Sequence, residues 1–147
     1  MAEAITILEN EYATLVYHPD AKIVHHTFHK PIAGDEFRAI LNAGVKVLKE
    51  NQAHKWLSDN RANSVLPAED ANWAKTDWFP RAASYGWKYW AMVVPQDTAG
   101  RINVKQFVDA YIDRGLRVMV FSQPEKAMEW LITCNQINQQ DQGETGK

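Results

Sequence analysis

Cysteine and any excess of charge are nearly absent from this sequence. Cys134 is the single cysteine, and because one thiol cannot close an internal disulfide, a reducing cytoplasm fits best. Sixteen basic side chains stand against eighteen acidic ones, and the net charge of -2 leaves no basic field that would hold a phosphate backbone. We therefore expect a cytoplasmic protein that does not bind nucleic acid.

Long apolar runs are missing as well. The N-terminus, MAEAITILENEY, has acids where a secretion signal has lysines, and it lacks a continuous apolar core of roughly 7 to 15 residues. Nowhere do about 18 uncharged residues follow one another, as a membrane-spanning helix requires. We expect no membrane span and no secretion by a recognisable route.

Motifs that mark catalytic loops are also absent. The sequence has no glycine-rich loop of the P-loop or Rossmann type and no Gly-x-Ser-x-Gly turn. The best candidate acid, Asp59, has no histidine or second carboxylate at close spacing that would point to hydrolysis. These absences predict a protein that is not an enzyme and that uses no cofactor.

The residues that are present favour one globular domain of the α/β class. The chain has 147 residues, of which 46% are hydrophobic and 23% charged, values ordinary for a folded protein. We expect a single domain over residues 1–134. The segment 135–147 is polar and unpatterned, and we expect this tail to be disordered.

Hydrophobic periodicity predicts the order β-β-β-α-β-α-β-α-β-α. β-branched and aromatic runs predict strands, and three- and four-residue apolar spacing predicts helices. The predicted strands lie at 4–8, 12–18, 22–30, 54–57, 91–94 and 116–121. The predicted helices lie at 35–51, at 67–86 with either a kink or the start of a new helix at Pro80, at 103–114, and from Pro124 to about 134. We expect a mixed, mainly parallel sheet with antiparallel N-terminal strands and about four helices.

The carboxyl ends of parallel strands are where sites tend to lie in such sheets. Here that edge comprises residues 58–64, 95–98 and 122–123. Asp59 and Arg61 follow a buried strand two residues apart, so their side chains can project to one side and pair. We interpret the pair first as a structural clamp on a strand-to-helix turn, and second as part of a ligand or partner edge.

The histidines of HHTFH suggest a metal site, but their spacing argues against it. His25 and His29 lie about 13 Å apart along a strand at about 3.3 Å per residue, and His26 points to the other face. His54 could pair with one of them, yet zinc usually takes four close ligands. We predict no metal, and interpret the histidines as an exposed edge-strand face.

Two features near the second helix have a structural and a functional interpretation. Ser64 precedes the helix start, where an added phosphate would be tolerated, so it is a possible phosphoacceptor. Glu69 and Asp70 lie in the first turn and suit the helix dipole. An enzyme acting at Asp59, Arg61 and Ser64 would need a perturbed carboxylate in a substrate cleft.

Six tryptophans are many for this length, and four of them fall between residues 73 and 90. Most of this cluster is expected in the core. Trp73 is offset from the stripe formed by Ala71, Ala74 and Trp78, and aromatic side chains not needed inside often line a pocket or a partner surface.

The segment KWLSDNRANSVLPAEDANWAKTDWFPRAASYGWKYWAMVVP resembles the bacterial STAS/SEC14-like (SpoIIAA-like) domains of uncharacterised function. The similar features are a strand ending Trp-Leu-x-Asp with a nearby arginine, a Pro-x-Glu-Asp helix start, Trp-Phe-Pro-Arg-Ala and a strand ending Val-Val-Pro. The resemblance implies the element order derived above. Related folds include anti-sigma-factor antagonists switched by serine phosphorylation, whose Asp-Ser-Ser-Gly segment is absent here, and longer SEC14-type domains that carry lipids.

We therefore expect a non-enzymatic cytoplasmic regulatory or protein-interaction domain, forming a homodimer or binding another protein. The alternative is a binder of a small apolar or amphipathic, lipid-like ligand, which requires a cavity near the tryptophans. For either function the ligand or partner edge comprises Asp59, Asn60, Arg61, Ser64, Trp73, Trp78 and Arg81.

Overall fold

The computed structural model describes residues 3–63, 66–95 and 115–144, with side chains as far as residue 135. The strands are β1 (Ile5–Glu9), β2 (Ala13–His18), β3 (Ile23–Phe28), β4 (Lys55–Asp59), β5 (Tyr89–Val93) and β6 (Arg117–Phe121). The helices are α1 (Gly34–Glu50), α2 (Ala68–Trp73), a π-helical turn (Ala74–Trp78), α3 (Phe79–Ser84) and α4 (Pro124–Glu144).

The six strands form one mixed sheet in the order β1-β2-β3-β4-β5-β6. β1, β2 and β3 pair antiparallel, and β3, β4, β5 and β6 pair parallel. The expected α/β sheet with antiparallel N-terminal strands is therefore confirmed. The helix predicted at 103–114 lies outside the described residues, which contain α1, the segment 68–84 and α4.

One face of the sheet, here called the aromatic face, is covered by α1, α2 and α3. Both described crossovers lie on this face, because the parallel strands advance in one direction and the two connections share one hand. Alternate strand residues point into its core. They include Leu15, Tyr17, Val24, Phe28, Trp56, Trp90 and Met92, packed against Phe37, Ile40, Leu48, Trp78, Phe79 and Trp87.

The opposite face, here called the α4 face, is packed differently along its width. α4 contacts β4, β5 and β6, and its Ala127 and Leu131 pack with Ile23, Leu57 and Val93. On β2, and on β3 beyond the buried Ile23, the residues of this face are only half-buried. This outer half of the α4 face consists of Thr14, Val16, His18, His25 and Thr27.

The second helical segment accommodates Pro80 through a π-helical turn. Pro80 lacks a backbone N–H, and its ring disfavours a regular preceding turn. The Phe79 N–H bonds to the carbonyl of Ala74, five residues back, so the segment widens before α3 instead of breaking. Gly86 then ends the segment at φ +100°, as predicted for a glycine C-cap.

α4 continues to Glu144, beyond the end near residue 134 that the apolar spacing predicts. The division into a domain over 1–134 and a tail stays a prediction. No helix among the described residues has both the length and the apolar character to cross a membrane.

Candidate functional site

The segment after β4 forms a tight clamp around Asp59. The Arg61 guanidinium donates from Nε to Asp59 Oδ1 at 2.9 Å and from Nη2 to Oδ2 at 2.8 Å, a bidentate pair. Asp59 is buried, whereas the Arg61 side chain is 47% exposed. This hydrogen bonding raises the pKa of Arg61. The predicted Asp59–Arg61 pair is present, and its outer half faces solvent.

Asn60 fixes the same loop from the aromatic face. Its N–H bonds to the Val93 carbonyl at 2.8 Å, and its side-chain oxygen lies 3.0 Å from His26 Nε2. His26 Nδ1 accepts a hydrogen bond from the Trp56 indole at 3.0 Å. Because an indole N–H only donates, His26 is neutral, with its proton on Nε2 directed at Asn60.

Burial determines the charge state of His26. The ring is 3% exposed, and desolvation lowers its pKa from 6.5 to about 4, although Asn60 and Asp59 favour the charged form.

Asn63 completes the clamp, because its side-chain oxygen accepts from the Ile32 N–H at 3.2 Å. The polar residues 59, 60 and 63 are thus bonded within the fold.

An open hollow of about 440 Å³ lies beside the clamp at the carboxyl ends of β3 and β4. We call it the edge hollow; its lining is Thr27, Phe28, His29, Asp59, Arg61 and Ala62. The sequence prediction of this edge omitted the end of β3. Since β3 runs parallel to β4, its carboxyl end belongs to the same edge, which a predicted strand order would have revealed.

Trp78 lies in the core and not at the edge. It is 2% exposed, and its indole N–H donates to the Leu41 carbonyl of α1 at 2.9 Å. Its ring contacts those of Trp56 and Trp87 at centroid distances of 5.2 Å. Trp90 is also buried and donates to Ser58 Oγ. These indoles are packed and hydrogen-bonded, so they do not line an open pocket.

Trp73 and Arg81 lie on the helical layer of the aromatic face, whereas Asp59 points to the α4 face. Trp73 is partly buried against Phe37 and lies under the guanidinium of Arg38. Arg81 pairs with Asp77 and donates to Asn42 of α1 at 2.6 Å. The structure therefore does not bring these side chains together with the edge hollow. Ser64 lies outside the described residues.

The dipole explanation is incomplete for Asp70. This side chain is buried, and its Oδ2 accepts from the Gly34 N–H at the start of α1. Arg38 Nε lies 3.5 Å from Asp70 Oδ1. Asp70 therefore joins α2 to α1, a tertiary role that no local sequence pattern indicates.

The interpretation of the histidine strand as an exposed edge is wrong. β3 is the third strand of six, and His26 is buried. His25 points to the outer half of the α4 face, where its Nδ1 lies 3.1 Å from Nε2 of His18. Burial lowers the pKa of His18 and that of His25, the latter to about 4. His54 does not join this pair, because its Nδ1 bonds the Gly86 carbonyl.

The sequence analysis did not predict the His18–His25 contact, because it considered the spacing of histidines along β3 alone and not across the β2–β3 hairpin. The β2–β3 hairpin places His18 opposite Ile23 and Val16 opposite His25, so the two imidazoles are diagonal neighbours on one face. The turn residues Pro19 and Asp20 were the available signal. Among the described residues, no group of three or more His, Cys, Asp or Glu side chains could hold a metal ion.

A buried lysine anchors α4 to the sheet. Lys55 Nζ donates to the Leu131 carbonyl at 2.6 Å and to Asn135 Oδ1 at 3.0 Å. Burial lowers the pKa of Lys55 and raises that of the neighbouring Cys134 thiol. Lys55 donates its hydrogen bonds within the fold, and Cys134 is buried, so neither group is exposed for reaction.

Comparison of the chain with protein-family models, with curated proteins and with solved structures found no match. The resemblance to STAS/SEC14-like domains therefore stays a hypothesis carried by the residues quoted above. The edge hollow with its Asp59–Arg61 clamp remains the candidate site on geometric grounds.

Proposed function

We propose that this chain is a non-enzymatic regulatory or protein-interaction domain of STAS-like type, acting in the cytoplasm through the edge hollow. The observation that supports this function is the state of the clamp. Asp59, Asn60 and Asn63 are all hydrogen-bonded within the fold, whereas the outer half of Arg61 is presented at a fixed position. A rigid surface with an exposed arginine suits recognition of a partner.

The same geometry does not favour catalysis at this site. A general base must be within reach of a proton, and the Asp59 carboxylate is already engaged by two guanidinium donors. The hydroxyl of Thr27 and the ring of His29 line the hollow, but His29 Nε2 is bonded to Thr14 Oγ1 at 2.7 Å. These hydrogen bonds fix the shape of the site and leave its carboxylate without a free role as a base.

The alternative of an apolar-ligand carrier has less support. It required an open cavity among the tryptophans, whereas Trp56, Trp78, Trp87 and Trp90 pack ring against ring. The partner expected for the interaction domain is a second copy of the chain or another protein.

Native mass spectrometry of the protein purified from its own host tests the proposal, because one spectrum reports both protein complexes and bound small molecules. A stoichiometric protein complex is expected. Arg61→Ala should dissociate it, whereas Arg81→Ala, which removes another half-exposed arginine paired with an aspartate, should leave it intact.

A monomer at micromolar concentration that carries a stoichiometric small molecule would contradict the proposal. So would a complex equally weakened by both substitutions, since the contact would then not depend on the edge hollow. Circular dichroism of each variant separates a lost contact from a lost fold.

A further inference from the structure

The His18–His25 pair lies outside the edge hollow and plays no part in the function proposed for it. His18 ends β2 and His25 is the third residue of β3, and the hairpin register places both on the outer half of the α4 face. The rings stack with centroids 5.3 Å apart and an interplanar angle of 24°. Both side chains are half-buried, so the pair is ordered by its neighbours but reachable from solvent.

The distance between the two ring nitrogens matches that of two ligands on one metal ion. His18 Nε2 and His25 Nδ1 lie 3.1 Å apart. Two nitrogens bound to a tetrahedral zinc ion at about 2.0–2.1 Å lie roughly 3.3 Å from each other. In a square-planar copper site with bonds of about 2 Å, neighbouring nitrogens lie roughly 2.8 Å apart. The observed separation falls between these values, so the two nitrogens already have the spacing of neighbouring ligands.

The surroundings of His25 also suit a ligand. Its second ring nitrogen, Nε2, lies 3.3 Å from the Thr27 hydroxyl. A hydrogen bond at the outer nitrogen fixes the tautomer of a metal-bound imidazole and orients the ring. With Nε2–H donated to Thr27, His25 Nδ1 accepts a hydrogen bond from His18 Nε2–H, and a metal ion that binds both nitrogens displaces this proton to His18 Nδ1.

We propose that His18 and His25 bind a divalent transition-metal ion of the class that prefers imidazole, namely Cu²⁺, Ni²⁺ or Zn²⁺. Water completes the coordination shell, since no third ligating side chain among the described residues joins the pair. Asp59 is the diagonal neighbour of His25 on the same face, but its charge is offset by Arg61. Two protein ligands predict an exchangeable site whose affinity follows the order Cu²⁺ above Ni²⁺ and Zn²⁺.

The test uses the full chain without a histidine tag, freed of metal by a chelator and then dialysed. Calorimetric titration with Zn²⁺ and with Cu²⁺ should give one ion per chain. His18→Gln removes one of the two protein ligands, so it should weaken binding by at least the roughly ten- to hundredfold that loss of an outer-shell partner costs. His29→Gln, which removes an exposed histidine on the same hairpin, should leave the affinity unchanged.

Electron paramagnetic resonance of the Cu²⁺ complex tests the proposal on the unmodified protein itself, so the result does not rest on whether a variant folds. The unmodified protein should show two imidazole nitrogens on copper, one from each histidine, and His18→Gln at most one. Equal binding by His18→Gln and the unmodified chain would overturn the proposal. So would equal losses in His18→Gln and His29→Gln, one nitrogen in the unmodified protein, or no binding of either ion.

Discussion

The two faces of the sheet solve the burial problem in different ways. The aromatic face is covered across β2 to β5 by three helices, and its indoles donate to His26, Leu41, Ser58 and Tyr89. Among the described residues, α4 is the helix that covers β4, β5 and β6 on the α4 face, and the outer half of that face presents threonines and histidines. The half-buried polar side chains of β2 and β3 are therefore on the outer half of the α4 face, whereas the aromatic face is packed and hydrogen-bonded.

This difference explains why the indoles of Trp56, Trp78, Trp87 and Trp90 pack against one another instead of lining a cavity. Each indole buries a large apolar area and carries one donor, which must find an acceptor when water is excluded. On the aromatic face every one of Trp56, Trp78, Trp87 and Trp90 has such an acceptor. The cluster is a hydrogen-bonded core, and ligand binding there would require breaking it.

The sharpest test of the comparison uses neighbouring residues of β2 that point to opposite faces. Leu15 is fully buried on the aromatic face, and Val16 is half-buried on the outer half of the α4 face. Leu15→Ala should lower the free energy of unfolding by about 2–5 kcal/mol, because a cavity remains. Val16→Ala should cost about 1 kcal/mol or less. Urea unfolding measures both, and equal losses would mean that the outer half is also covered.

The next largest effect is the acid sensitivity of the His26 hydrogen bonds. Its pKa is about 4 in the folded protein and near 6.5 when unfolded, so the unfolded chain binds the proton first as pH falls. The stabilisation is complete above pH 6.5 and declines down to pH 4, by about 3 kcal/mol. His25, with a pKa also near 4, adds to this loss.

His26→Gln separates the contribution of His26 to the acid sensitivity from that of His25, because an amide can accept from Trp56 and donate to Asn60 without titrating. Urea unfolding at pH 7.5 and at pH 4, with a chelator present, should show a smaller pH effect for this variant than for the unmodified chain. An unchanged pH effect would assign the acid sensitivity elsewhere.

A smaller loss is expected where α1 approaches the aromatic face most closely. A Cβ at Gly44 would lie 2.6 Å from Cζ2 of the Trp56 ring, well inside van der Waals contact. Gly44→Ala should destabilise by roughly 1–3 kcal/mol despite the better helix propensity of alanine. A double-mutant cycle with Trp56→Phe, whose smaller ring makes room, should show a non-additive rescue. Additive losses would place the strain at another contact.

The fold could be predicted from the sequence wherever the signal was local. The apolar spacing of α1, the alternation in β2 and the glycine that ends α3 all lie within a few residues of each other. Pro80 indicated a disruption, and the π-helical turn is the form that it takes. The polar continuation of α4 to Glu144 has no apolar stripe, so its pattern gave no signal.

The candidate site could be predicted only in part, because it depends on strands that are far apart in sequence. Asp59 and Arg61 are close neighbours, and their pairing followed from alternation. The contacts of His26 with Trp56 and Asn60 and of Asp70 with Gly34 cross tens of residues. Such pairings require the strand order, which the periodicity of one segment does not contain.

The smallest expected losses in the free energy of unfolding come from breaking two arginine–aspartate pairs, which differ in the burial of the aspartate. Arg61→Ala leaves Asp59, whose side chain is 5% exposed, without its bidentate partner, and the half-exposed position admits water that softens the loss. We expect about 1–2 kcal/mol. Arg81→Ala removes an i,i+4 pair with the exposed Asp77 and an exposed hydrogen bond to Asn42, for which about 0.5–1 kcal/mol is expected. Because only the exposed pair is strongly screened, added salt should weaken the Arg81 effect more than the Arg61 effect. Urea unfolding at low and high salt measures both, and equal effects of the two substitutions would show that the Asp59 clamp stabilises the fold no more than an ordinary surface pair.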